Sequence, residues 1–350
     1  MPIISDPIQV KEIYDRAAER GVCLANFCTA NPQTTEAIIR SAHLFGEQYE
    51  LSGVPIIVSV TANYPIEPQL QHYTATRSAL VGLRAMLGDV KTLLAEESPY
   101  RGVQVLLHLD HSMPGYDDEI VPWVMGEFST IMYDCSHSPI EENIRQVARF
   151  VDENRGRIWV EGAVDEVVQA ARSSEAQHPL TDPALAERYY RETGVFLIVP
   201  NLGTEHRSTA ATARYDGERA RAIRDRVGAR MVLHGSSSLP DEYLPRLLGD
   251  GIAKVNIWSI FERLGGQAVA EDVLLNLGNL LTEESLRGKQ AEGFLGPRFD
   301  DAVYRQQQCG GTIGPKGWAL VWHHRRDVWL GAVVARMHTY LEQFGYARWS

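Results

Sequence analysis

Eight short apolar runs alternate with helix-like stretches along this chain, and this alternation constrains its fold more than any other feature. The runs lie at residues 22–27, 54–61, 103–110, 128–134, 157–163, 195–201, 229–235 and 252–257. Each run is almost continuously hydrophobic, as expected for parallel strands that are covered on both faces. Eight such strands joined by helices are typical of the α/β fold called the (β/α)8 or TIM barrel. A doubly wound open sheet is the alternative.

The segments between the runs carry the periodicity of surface helices. The apolar residues between positions 143 and 151 fall on one stripe, at the spacing i, i+3, i+4, i+7. Asp182 is a predicted N-cap, because Pro183 follows it at the first helical position. Residues 75–98 are predicted to be helical and are long enough for two helices before the third strand.

The last part of the chain falls outside this repeat. It contains a glycine-, proline- and glutamine-containing stretch, and it closes with a helix-like segment that carries Trp318, Trp322 and Trp329. Tryptophans at roughly helical spacing favour core or dimer packing. We therefore predict a catalytic barrel over residues 1–265 and a helical C-terminal extension over residues 266–350, packed on the barrel or in a dimer interface.

Composition excludes several classes of protein. The net charge of −11 argues against nucleic acid or an anionic membrane as a partner, but it is compatible with a local basic pocket for a phosphorylated substrate. No apolar run approaches the roughly 20 residues of a membrane span, and the first residues lack a signal-like core. The four cysteines show no CxxC spacing, so we expect free thiols in the cytoplasm.

Three histidines follow three of the apolar runs directly. They are His111, His206 and His234, and the acidic Asp110 stands beside the first of them. In a barrel the carboxyl ends of all strands form one mouth, whereas in an open sheet they spread along an edge. Three neutral imidazoles with one open position suit a catalytic zinc ion. The pattern therefore favours the barrel and a metal-assisted enzyme.

Polar residues at two other strand ends allow two interpretations each. The turn at residues 234–238 offers a glycine and three serine hydroxyls, which suit a phosphate or another anion, although three serines alone are more often a polar turn. Asn256 ends the last run and either bonds a substrate oxygen or ties a loop.

Several motifs in one collinear order resemble those of a known enzyme family. They are LHLDHS, MYDCSHSPIEENI, WVEGAVDE, NLGTEH, LHGSSSLPDE and GIAKVNIWS. Over about residues 8–265 the chain resembles the class II, metal-dependent fructose-bisphosphate aldolases and related ketose aldolases. The resemblance implies reversible aldol cleavage of a ketose or sugar phosphate through a metal-stabilised enediolate. No Schiff-base lysine is required, and Lys254, inside the last strand, is interpreted as structural.

The resemblance also implies roles for individual residues. His111, His206 and His234 correspond to the zinc ligands, with Asp134 and Glu161 at acidic positions near the metal. Asp110 corresponds to the residue that handles the proton of the hydroxyl next to the scissile bond. Substrate-binding positions are Asn31, Thr61, Gly203, Arg207, Gly235, Ser236, Ser237, Asn256 and Ser259. A monovalent cation, Na⁺ or K⁺, and a homodimer or homotetramer are further expectations.

The chain departs from the family pattern around the donor phosphate. Arg207 and Ser238 stand where the family usually has glycine, and Trp258 interrupts the last-strand motif. The mobile-loop acid is missing, so Glu166 or Glu175 is the candidate for the carbon acid/base. Arg207 either grips a carboxylate or repositioned phosphate in bidentate fashion or fills the pocket. We therefore expect a substrate other than fructose 1,6-bisphosphate.

Two other functions compete with this one. The first is a non-catalytic homologue that binds a metal or a sugar phosphate, but such a binder has no need of Asp110. The second is another metal-dependent TIM-barrel enzyme, a hydrolase or an isomerase. Those enzymes often carry an HxH pair on the first strand, and this chain has none there.

Overall fold

A computed structural model describes residues 3–166, 179–204, 215–236, 239–296 and 327–349. The chain divides into two compact units. The first consists of residues 1–260 and 336–350, and the second of residues 261–335.

The first unit is built on a closed barrel of eight parallel strands. The strands are β1 (Leu24–Cys28), β2 (Pro55–Thr61), β3 (Gln104–Ser112), β4 (Thr130–Tyr133), β5 (Trp159–Ala163), β6 (Leu197–Val199), β7 (Met231–Leu233) and β8 (Ile252–Ile257). Each strand pairs with its neighbour in sequence, and β8 pairs with β1. The predicted (β/α)8 barrel is confirmed, and the β1–β8 pairing rules out an open sheet.

Helices connect the strands and cover the barrel. Those of the first part of the chain are α1 (Pro7–Arg20), α2 (Pro32–Gln48), α3 (Gln69–Tyr73), α4 (Ala79–Leu93), α5 (Val121–Val124), α6 (Ile140–Glu153), α7 (Pro183–Thr193) and α8 (Gly217–Val227). Short 3₁₀ turns lie at Pro99–Gly102, Asp241–Arg246 and Tyr346–Arg348. The predicted N-cap is confirmed, because Asp182 accepts hydrogen bonds from the amides of Ala184 and Leu185.

The predicted helical segment 75–98 contains one helix, α4, and not two. The other helix before β3 is α3, which ends at Tyr73, before that segment begins. The two helices meet at Gly82, where an added Cβ would lie 1.9 Å from the carbonyl oxygen of Leu70. Only glycine allows this close approach of the two backbones.

The end of the chain packs on the barrel unit. The hydroxyl of Tyr346 accepts a hydrogen bond from the amide of Ala25 at 2.8 Å, and the indole of Trp349 donates to the carbonyl of Gly53 at 2.9 Å. Both aromatic rings are buried. The final residues therefore tie down the N-terminal end of β1 and the loop before β2.

The C-terminal region is helical, as predicted. Its helices are α9 (Ser259–Leu275), α10 (Leu277–Leu280), α11 (Glu283–Ala291) and α12 (Trp329–Gln343). In the second unit, Leu277 and Leu286 form a small apolar cluster with Val273, Leu281 and Leu295. Trp318 and Trp322 lie outside the described residues. Among the helices that the structure describes, none combines the length and apolar composition needed to cross a membrane.

Candidate metal and active site

The site begins at an irregularity in β3. In a regular strand Asp110 and His111 would point to opposite faces. His111 instead has a left-handed backbone, with φ at 46°, and the pairing of β3 with β4 shifts register between Leu109 and Ser112. A non-glycine residue in this conformation is strained, and such strain clusters at functional sites. The kink lets two adjacent side chains serve one site.

Asp110, His111 and His234 form a compact cluster of potential ligands. Their ligand atoms all lie within 4.8 Å of one another, although they come from β3 and from the end of β7. All three side chains are buried. Imidazole nitrogens and a carboxylate oxygen are the donors that zinc prefers in proteins, so this donor set fits a divalent ion.

Two neighbours fix the ring of His111. Its Nδ1 lies 2.7 Å from Oδ2 of Asp134, and Tyr64 stacks on the ring at 4.4 Å between centroids, with the planes 8° apart. Asp134 is itself held by the amide and hydroxyl of Ser136, at 3.0 and 2.6 Å. A carboxylate on Nδ1 selects the tautomer in which Nε2 carries the lone pair that a metal needs.

An amide pair orients Asp110 from the other side. Nδ2 of Asn256 lies 3.1 Å from Oδ2 of Asp110 and 3.1 Å from Nε2 of His234. Oδ1 of Asn256 accepts a hydrogen bond from Nδ2 of Asn26 at 2.6 Å. Asn26 and Asn256 are register partners on β1 and β8. Asn256 therefore contacts the site directly, and Asn26 supports it from β1. The sequence does not predict Asn26, because nothing local marks it.

The acids and histidines of the cluster stabilise the ionised forms of one another. Burial opposes ionisation of Asp110, but the neighbouring histidines His111, His234 and His108 hold the pKa of its carboxyl well below the usual range. Burial likewise opposes the ionised form of Asp134, yet the His111 and Ser136 contacts lower its pKa to about 2. The pKa of His111 is raised, because Asp110 and Asp134 outweigh its burial.

A cavity opens at this cluster. Of the predicted residues, it is lined by Thr61, Asp110, His111, His234, Gly235, Ser236, Asn256 and Ser259. Cys28, Tyr64, Ile66, Glu67, Gln69, Ile257 and Trp258 complete the described lining. The sequence prediction missed Cys28 and Tyr64. Their position at or just after the ends of β1 and β2 is the signal that could have found them.

Other predicted residues have different surroundings. Glu161 forms a fully buried ion pair with Lys254, whose Nζ lies 2.7 Å from both carboxylate oxygens. Asn31 caps α2 by accepting from the amide of Thr34 at 2.8 Å. Gly203 has φ at 86° and donates its amide to Asn201 at 3.0 Å. Glu166 is partly exposed and lies 3.5 Å from His137.

Some predicted residues cannot be placed in this site by geometry. His206, Arg207, Ser237, Ser238 and Glu175 lie outside the described residues.

Comparisons with known proteins agree with this architecture. The model of the family described as fructose-bisphosphate aldolase class-II matches residues 8–293. A fructose-bisphosphate aldolase from Campylobacter jejuni is similar in structure, with a TM-score of 0.68 and 17% identity, over 99% of this chain and 97% of that one. The YdjI aldolase from Escherichia coli K12 has a TM-score of 0.61 and 20% identity, over 96% of each chain. At these identities the structural likenesses establish the fold alone.

Proposed function

The chain belongs to the class II fructose-bisphosphate aldolase family, and from this premise we propose reversible aldol cleavage of a ketose or sugar-like substrate at a zinc centre. Membership makes the chain an aldehyde-lyase of the class II aldolase type. The observation that carries the proposal is the buried cluster of Asp110, His111 and His234 at the mouth of the barrel. The substrate, the metal and the roles of residues below are parts of the proposal.

One zinc ion is proposed, with His111 and His234 as ligands and His206 as the third. Asp134 serves this centre through His111, because its carboxylate accepts from Nδ1 of that ring. Glu161, which is paired with Lys254, then has a role other than ligation. A bound divalent ion supplies Lewis-acid stabilisation of the negative charge that develops on the carbonyl oxygen when the carbon–carbon bond breaks.

Asp110 is proposed to move the proton. Its lowered pKa keeps the carboxylate ionised at neutral pH, so it is ready to accept the proton of the hydroxyl on the cleaved bond. Asn256 holds one of its oxygens, which leaves the carboxylate in a fixed orientation in the cavity. In condensation the same group returns the proton. Glu166 stays our candidate for proton exchange at the donor carbon.

We propose a substrate other than fructose 1,6-bisphosphate. Tyr64, Ile66 and Trp258 contribute apolar and aromatic surface to the lining of the cavity. Among the lining residues that the structure describes, none is lysine or arginine, whereas phosphate sites usually offer such side chains. Arg207 is the residue we propose for contact with an anionic group of the substrate.

Further expectations accompany the reaction. A monovalent cation, Na⁺ or K⁺, is proposed beside the substrate, with Gly203, Gly235 and Ser237 among the residues around it. A homodimer or homotetramer is proposed as the assembly. Cytoplasmic location is proposed because Cys23, Cys28 and Cys135 are free thiols.

A retro-aldol screen tests the proposal. Phosphorylated and unphosphorylated ketoses are offered to the wild type with and without a chelator, and to Asp110→Asn. Asp118→Asn is the matched control, because Asp118 lies on the connection that follows β3 but is exposed, and among the described residues it bonds only the amide of Gly115. We expect cleavage that the chelator and Asp110→Asn abolish and that Asp118→Asn retains. No cleavage of any ketose by metal-loaded wild type would favour the non-catalytic homologue.

A further inference from the structure

A second buried polar group lies inside the barrel, directly below the carboxylate of Asp110. It consists of His108 on β3, Thr130 on β4, Glu161 on β5 and Lys254 on β8. All four side chains are at most 1% exposed. The interior of such a barrel is usually filled with valine, isoleucine and leucine. The presence of four polar side chains from four strands in this interior therefore requires an explanation.

The ring of His108 stands between two carboxylates. Its Nδ1 lies 2.7 Å from Oγ1 of Thr130, and its Nε2 lies 3.6 Å from Oδ1 of Asp110 and 3.7 Å from Oε2 of Glu161. His108 and Thr130 are register partners, so the Thr130 contact follows from the strand pairing. The ring is thus held at one end and faces both acids at the other.

Lys254 distinguishes the two acids that face this ring, because it bonds only one of them, Glu161. Its Nζ lies 2.7 Å from each oxygen of Glu161, so both oxygens of that carboxylate are already engaged. In the part of the chain that the structure describes, Asn256 donates to Oδ2 of Asp110, and Oδ1 lies 3.6 Å from Nε2 of His108 and 3.9 Å from Nε2 of His234. Because Lys254 engages Glu161, whereas Nε2 of His108 and Oδ1 of Asp110 have no hydrogen-bond partner among the described residues, the ring is placed to approach Asp110.

We infer that Glu161 and Lys254 are a positioning pair that, with Thr130, fixes His108 against Asp110 and so sets the orientation of the proton-carrying carboxylate. The inference rests on the proposed function of Asp110. Stability is a weak reason for the pair, because replacing a buried ion pair by apolar side chains is often neutral or stabilising. His108 contacts Asp110, whereas Glu161 and Lys254 act through His108.

The test compares Glu161→Gln, Lys254→Met and the double variant that carries both. Each single variant leaves a buried charge without its partner, so both should lose thermal stability. The double variant removes both charges and should regain a large part of the Tm that the single variants lose. With the ketose found by the screen, we expect its kcat to stay about tenfold lower or more, with KM within about twofold. A purely structural pair would instead recover kcat together with Tm, and this outcome would overturn the inference.

Thr130→Val provides an isosteric variant that keeps every charge. It removes the contact to Nδ1 of His108, and we expect a severalfold lower kcat together with a moderate loss of Tm, because a buried nitrogen loses its partner. If the double variant does not fold, Thr130→Val tests the inference by itself. A wild-type kcat in Thr130→Val would contradict the proposed positioning of His108. The absorption spectrum of the cobalt-loaded protein should be unchanged in the folded variants, which shows that the metal site is intact.

Nitrogen NMR of histidine-labelled protein makes the test independent of turnover. The two ring nitrogens of His108 should report one tautomer in the wild type and a mixture in the double variant, with His108→Gln used to assign the signals. An identical single tautomer in both proteins would refute the positioning role. Failure of the proposed function would appear differently, as absence of chelator-sensitive cleavage in the wild type.

Discussion

The carboxylates at the barrel mouth and those on the helical surface make ion pairs of similar length in very different surroundings. Asp134 and His111 lie 2.7 Å apart, and each side chain is 3% exposed. Glu141 and Arg188 on α6 and α7 approach to 2.6 Å with side chains 69% and 38% exposed. Distance does not distinguish the two pairs, whereas burial does. In water an ion pair gains little, but a buried charge that loses its partner is left uncompensated.

The difference teaches that the buried acids depend on one another and the exposed ones do not. His111 lowers the pKa values of Asp110 and Asp134, and both acids raise the pKa of His111, because little water screens these groups. The effects of substitution should therefore decrease from the centre of the mouth to the helical surface.

Replacing Asp110 should have the largest effect. Asp110→Asn keeps the size of the side chain but removes the base, so kcat should fall by about 10²–10⁴-fold. Zinc content, measured by elemental analysis after dialysis, should stay near that of the wild type, because the proposed ligands remain. An Asp110→Asn enzyme with kcat within tenfold of the wild type would assign the proton transfer to another group.

Replacing Asp134 should weaken metal binding rather than proton transfer. Asp134→Asn loses the carboxylate that fixes the His111 tautomer, and we expect zinc affinity to fall by about 10–100-fold. Competition with a chromogenic chelator measures this affinity. Ser136→Ala is the matched control with a smaller loss, since it removes only one of the two contacts that Ser136 makes to Asp134. Equal zinc affinity in Asp134→Asn and wild type would show that the His111–Asp134 contact does not serve the metal.

The same pair should make the stability of the metal-free protein depend on pH. The pKa of Asp134 is lowered from 3.8 to about 2. Its contribution to the free energy of unfolding is therefore present above about pH 4 and is lost as the pH falls towards 2. That shift corresponds to about 2 kcal/mol in the free energy of unfolding. The pKa of His111 is raised, so its contribution to the free energy of unfolding is present below about pH 6.5 and is lost at higher pH.

Urea unfolding of the metal-free protein at several pH values tests this dependence. The difference between wild type and Asp134→Asn should be largest between about pH 4 and 6.5, where both partners are charged. A difference that is constant from pH 2 to pH 8 would mean that the two groups are not coupled.

The Tyr64 ring should contribute less than the acids. Tyr64→Leu removes the stack on His111, and an aromatic pair is worth about 0.5–1.5 kcal/mol, so zinc affinity should fall by no more than about tenfold. Tyr64→Phe keeps the ring and is the control. If both variants bind zinc as the wild type does, the stack shapes the cavity but does not hold the ligand.

The sequence predicted the strands better than the contacts between them. Residues 252–257 were predicted and found as β8, because a buried strand is a continuous apolar run. The runs at 195–201 and 229–235 overestimate the lengths of β6 and β7, because each of these strands contains only three residues. Hydrophobicity marks burial, and burial continues beyond the last hydrogen-bonded residue.

The site was predictable where chemistry follows directly from strand ends, and not where it depends on register. His111, His234 and Asn256 could be chosen because each follows or ends an apolar run. The contact of Asn26 with Asn256 arises from the closure of β1 on β8, which no local pattern encodes. Lys254 was interpreted as structural for the same reason. Its partner Glu161 lies three strands away around the closed barrel.

Replacing Arg188 should have the smallest effect and is the strictest test of the comparison. Arg188→Gln removes two short hydrogen bonds to Glu141 and one to Glu192, which are more contacts than Asp134→Asn removes at His111. If contact number determined stability, Arg188→Gln would be the more damaging change. Because these groups are exposed to water, we expect the Tm to change by no more than about 1 °C. A Tm loss as large as that of metal-free Asp134→Asn near pH 5 would mean that geometry, and not burial, sets the contribution of an ion pair in this fold.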